Sequence, residues 1–83
     1  MIGANDEHGR AYAHLMEVAQ EYRELVQLTE RGALEADEHH TLLSQRSVVH
    51  DQLIALFEQL KIPFVDRDDV RRQAMNIAAR CQV

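Results

Sequence analysis

The residues of this 83-residue chain with the most evident capacity for chemistry are Asp37, Glu38, His39 and His40. Neutral imidazole and carboxylate are common ligands for zinc and similar ions. Helical spacing pairs Glu35 with His39 and Asp37 with His40. A dinuclear helical centre needs a matching Glu and Glu-x-x-His set on other helices, and the sequence has no such set. No metal ligand is assigned, and the run reads as the acidic, solvated start of a helix.

The remaining reactive types carry no catalytic signature. Cys81 lies four residues beyond Ile77 on one apolar row and packs as a small hydrophobe. A nucleophile needs an activating base, and no Cys/His or Ser/His arrangement occurs, nor does a glycine-rich phosphate loop. No catalytic or cofactor-binding residue and no cofactor is assigned. His50 borders an apolar seam near Arg46 and Ile54, as a hydrogen-bonded boundary histidine, with a switch near neutral pH as the alternative. Tyr12 and Tyr22 read as core or boundary residues with satisfied hydroxyls.

Arg46 is the most informative irregularity, because it occupies a seam position where an apolar residue is expected. Its stem can lie along the core and lift the charge to water. Alternatively it pairs with a carboxylate across an interface, where a polar seam residue fixes register.

Three amphipathic segments must position these groups. The first is expected over residues 7–31, after a frayed 1–5 and a cap at Asn5 or Asp6. Its stripe is Tyr12, Leu15, Ala19, Tyr22, Val26 and Thr29, widened by Ala11, Val18 and Leu25. Arg31 and then Gly32 suit a helix end, so the chain should break there, the alternative being Gly32 inside one longer helix. The second segment, 36–61, carries the heptad seam Leu42, Arg46, Val49, Leu53, Leu56 and Leu60, with Leu43, His50 and Phe57 as a flanking row. Pro63 ends it. The third, 67–82, has Asp66 as N-cap, Asp69 at the third helical position and a Val65–Val70 staple. Its apolar row is Val70, Ala74, Ile77 and Cys81, with Met75 and Ala78 beside it. The fold class is all-α: an up-down three-helix bundle, with an up-down-up order suggested by the short connections.

Composition narrows the function. One domain of this size has a thin core, and a single cysteine excludes an internal disulfide, which makes dimerisation the leading way to complete the bundle. Residues 1–40 hold nine acids against three arginines, and residues 41–83 hold five acids against six Lys or Arg, a balance that argues against nucleic acid. No apolar run reaches the roughly 20 residues of a membrane span. The lone cysteine and the lack of a basic leader into an apolar run predict a cytoplasmic location.

The run Ala33-Leu34-Glu35-Ala36, then Leu42-Leu43-Ser44-Gln45-Arg46, then Leu53-Ile54-Ala55-Leu56 resembles the small bacterial flagellar export chaperones that guard the filament-cap protein. The resemblance covers about residues 10 to 60. It implies a bundle that holds an export substrate in an apolar groove, sometimes as a dimer, without catalytic residues. The chain departs from that pattern after Pro63, where it is shorter. A second comparison, with small all-helical chorismate mutases, rests on helix lengths and on Ile62-Pro63-Phe64-Val65-Asp66. Those enzymes clamp a dicarboxylate with several basic residues, whereas the first helix here is acidic.

The leading expectation is a non-enzymatic helical module that binds a protein partner or a second copy of itself. A small enzyme acting on an anionic metabolite through Arg23, Arg46 and Arg71 is the second, and a structural dimerisation domain the third. Partner contact is expected on the outer face of the second helix at Val48, Ile54 and Ala55, with Arg46, because these apolar residues lie off the seam and would be better covered. A charge at Ile54 is then expected to disrupt association without disturbing the fold. Two or more arginines around a pocket would favour the enzyme, an open apolar groove the binder.

Overall fold

The computed structural model describes residues 3–32 and 35–81, with side chains from Gly9 onward. They form three α-helices that pack on one another: α1 (Gly3–Glu30), α2 (Ala36–Gln59) and α3 (Arg67–Cys81). This is an all-α three-helix bundle, and no strand occurs among the described residues.

Helix α1 begins at Gly3, a turn before the expected start near Glu7, so Asn5 and Asp6 lie within it rather than capping it. Their side chains are outside the described set, as are Met1 and Ile2 of the expected frayed end. The apolar stripe is buried as expected except at Tyr12, which is 44% exposed while Ala11 beside it is covered. Thr29 closes the stripe. Its hydroxyl is shared between the carbonyls of Leu25 (2.9 Å) and Val26 (3.0 Å), so a polar group is buried without penalty.

The helix stops where glycine allows it to. Arg31 N–H reaches Gln27 O at 3.2 Å, and Gly32 then takes φ +70. A Cβ there would meet nothing within 4 Å, so the need for glycine is backbone conformation and not space. Helix α2 starts with Glu35 in the cap position making no side-chain cap bond.

Along α2 the seam residues Val49, Leu53 and Leu56 are buried, and so is Phe57 from the flanking row. Leu42, Arg46 and Leu60 are only partly covered, and Leu43 is exposed. The end of α2 comes two residues before the expected Lys61, and by a different device from Pro63 alone. Lys61 adopts φ 59, its N–H bonding Glu58 O at 3.2 Å, and Ile62 N–H bonds Phe57 O at 2.8 Å. This pair of bonds is a Schellman motif with lysine in the left-handed site.

Asp66 caps α3 as expected: its Oδ1 accepts the Asp69 N–H at 2.8 Å. Asp69 reaches back, its Oδ2 accepting Val65 N–H at 3.0 Å. The Val65–Val70 staple does not form, because Val65 is 88% exposed while Val70 is fully covered. Ile62 and Phe64 pack on the core instead, Phe64 edge-on to Phe57 at 6.1 Å. The buried row of α3 is Val70, Ala74 and Ala78, with Ile77 and Cys81 at its margin.

Helices α1 and α2 form the expected up-down pair, since Arg46 meets Thr29 while His50, a turn on, meets Tyr22 further back along α1. Helix α3 does not turn upward again. Its first residue, Arg67, lies beside His50, whereas Gln73 further along bonds Pro63 O at 3.0 Å, next to the end of α2. Helix α3 therefore runs in the same sense as α2 and lies along α1 from Glu30 backward. The segment 60–66 doubles back before α3 begins, which short connections in the sequence did not suggest.

Candidate functional site

Two of the concave regions beside α2 lie between it and other helices, and they differ in chemistry. The first is an open groove between α1 and α2, about 650 Å³, lined by His14, Val18, Glu21, Ser44, Gln45, Val48, Val49 and Gln52. Its floor is three valines, and of these Val48 is 57% exposed, more than any other large apolar residue on α2. The rim is polar. Glu21 belongs to an exposed acidic row on α1 with Glu17 and Glu24, and His14 stands 4.0 Å from Glu17.

The expected contact residues separate on this frame. Val48 and Ala55, seven apart, share one side of α2 and are both exposed. Ile54 is not with them. It packs against the core, one turn on from His50 and toward the side where His50 meets α3. A charge at Ile54 would therefore strain the fold itself, contrary to the sequence-based expectation. Arg46 sits on the far side from Val48, so the four residues do not form one patch.

The second region is smaller, about 300 Å³, where the three helices meet. It is lined by Tyr22, Leu43, Arg46, Ser47, His50, Asp68 and Arg71. Arg46 lies partly buried, and its Nη1 donates to the Thr29 hydroxyl at 3.1 Å. Among the described residues no acid stands within ion-pair distance of Arg46. His50 is a hydrogen-bonded boundary residue. Its Nε2 meets Arg67 O at 2.9 Å, and since a carbonyl only accepts, the proton is on Nε2. Its ring lies 5.5 Å from that of Tyr22.

Arg71 donates to Glu30 at 3.2 Å, tying α3 to α1, and Arg67 donates to Asp51 at 3.0 Å, tying α3 to α2. Of the arginines considered for an anionic metabolite, Arg46 and Arg71 line this cavity and Arg23 does not. Tyr22, Ser47 and Asp68 complete it without any signal in the sequence, because their convergence depends on the path of residues 60–66. Likewise nothing in the sequence marked His14, Val18 and Glu21 as one wall of the groove.

Around the start of α3, Asp69 is held below the ordinary carboxylate range. The Val65 N–H is the main cause, followed by Arg72, which contacts Oδ1, and by Gln73 Nε2 at 3.1 Å. Asp37, Glu38, His39 and His40 lie on the first turns of α2, and among the described residues no group of three or more His, Cys, Asp or Glu is placed to hold a metal ion. No helix among them is long and apolar enough to cross a membrane. Comparison with protein-family models, with curated proteins and with solved structures finds no match.

Proposed function

We propose that the chain is a non-enzymatic helical protein-binding module of the adaptor or export-chaperone kind, acting in the cytoplasm, and that it takes a helix of its partner in the α1–α2 groove. The observation that carries this reading is the α1–α2 groove, in which Val48 stands 57% exposed over the buried Val18 and Val49, between two polar rims. A groove of that form suits an amphipathic helix laid lengthwise, with small anchors at i, i+3 and i+4. The acidic row Glu17, Glu21 and Glu24 beside it suits a partner whose flanking positions are basic. The resemblance of residues 10 to 60 to flagellar export chaperones points the same way. A second copy of the chain is the competing occupant.

Val48→Glu tests the reading better than a change at Ile54, because Val48 contributes little to the core. Capture from native lysate with mass spectrometry should give a stoichiometric partner with the native chain and none with Val48→Glu, at equal helicity by circular dichroism. A partner retained by Val48→Glu, or no stoichiometric partner at all, sinks the reading. Gel filtration that shows a dimer lost in Val48→Glu assigns the groove to a second copy.

A further inference from the structure

The cavity at the three-helix junction shares no lining residue with the groove, so what it binds is a separate question. Arg46 is its central feature. Arg46 is partly buried, and among the described residues its guanidinium meets the neutral Thr29 hydroxyl and no carboxylate within ion-pair distance. Arg71 lines the same cavity, and its bond to Glu30 uses Nη2 alone. A guanidinium carries five N–H donors in a fork that matches the geometry of a carboxylate or phosphate. Both arginines thus have donors to give beyond their protein contacts. The structure around them is firm: Thr29 anchors one, Glu30 the other, and His50 is fixed through Arg67 O and the Tyr22 ring.

We propose that this cavity binds a small oxyanion, held between Arg46 and Arg71 with the Ser47 hydroxyl as a further donor. The volume, about 300 Å³, is at the lower edge of small-molecule sites. A carboxylate or phosphate group fits that volume. Asp68 lines the same space and opposes the anion, so it sets an upper bound on affinity that its removal lifts.

The test is titration of the full chain with sodium phosphate and, in a separate arm, sodium malonate. Sodium chloride holds the ionic strength, and NMR reads the His50 ring and the arginine Nε–H signals. A saturable shift with either anion is expected, and the arm that saturates tells phosphate from carboxylate chemistry. Arg46→Gln and Arg71→Gln should each weaken binding about tenfold, the loss expected for one charge-assisted bond. Asp68→Asn should tighten it, and Arg31→Gln, on exposed surface, should leave it unchanged. Shifts that stay linear in both arms overturn the proposal, as does an Arg71→Gln curve identical to that of Arg31→Gln. If Arg46→Gln fails to fold, Arg71→Gln and Asp68→Asn decide, since both lie outside the core; no change in either overturns it.

Discussion

The two connections of the bundle solve the same problem by different means. Between α1 and α2 the chain relies on backbone freedom: Gly32 turns left-handed, and Glu35 begins α2 with no side-chain cap. Between α2 and α3 it relies on side chains. Asp66 caps, Asp69 accepts from Val65, Gln73 reaches back to Pro63, and a lysine rather than a glycine occupies the left-handed site. The contrast follows from what each helix buries. Helix α2 contributes Leu53, Leu56 and Phe57 to the core, whereas α3 contributes one valine and two alanines. Apolar burial scales with area, so α3 gains less from packing and depends more on hydrogen bonds at its start.

That dependence can be broken directly. Asp66→Ala should destabilise the protein by about 0.5–2 kcal/mol in urea unfolding, because a first-turn N–H loses its acceptor. Asp68→Ala should cost less, losing only a favourable helix-dipole interaction. The mirror change sharpens the comparison: Glu35→Ser supplies the missing cap of α2 and should stabilise by up to about 1 kcal/mol. Equal and negligible effects at 35 and 66 would mean that the caps do not distinguish the two connections.

The left-handed sites give a pair of opposite sign. Gly32→Ala should cost about 1 kcal/mol, since an L side chain at positive φ is strained even in open space. Lys61→Gly should gain about 0.5–1 kcal/mol by relieving the same strain. A loss at Lys61→Gly would show that the lysine side chain contributes more than the strain it bears.

The smallest expected effect is a pH dependence at Asp69. Its folded carboxyl titrates below its unfolded value, so its contribution is fully present above the unfolded value and is lost as pH falls through the folded one. Asp69→Asn should accordingly destabilise at neutral pH, and the difference from the native chain should begin to narrow as pH falls past the ordinary aspartate value of about 3.9 and close below the lower folded one. Chemical denaturation at a series of pH values checks it, and a gap that persists at low pH would contradict the assignment.

The same contrast explains what the sequence could reveal. Helical periodicity placed the core stripes of α1 and α2, and the cap at Asp66 was legible because it depends on neighbours three residues away. Tyr12 and Ala11 both border the stripe of α1, and which one is buried depends on the side from which α3 arrives. Ile54 and Val48 both lie off the heptad seam, but only Ile54 packs against the core that the three helices share. The groove and the arginine cavity are built between elements, so periodicity within one element could not delimit them. Arg46 was visible as an exception to the seam, while its meeting with Thr29 and with the Arg71 wall was not.

The doubling back of residues 60–66 also bears on how the chain acquires its fold. Helices that follow one another as a hairpin close short loops, as the Arg46–Thr29 bond does at a separation of 17 residues. Helix α3 is tied to α2 at similar separations, 16 and 17 residues through Arg67, but it packs mainly on α1, where its tie from Arg71 to Glu30 spans 41 residues. Closing the longer loop costs more chain entropy. The α1–α2 pair is accordingly the natural nucleus, and α3 joins it late, as the element that opens first when the native state breathes.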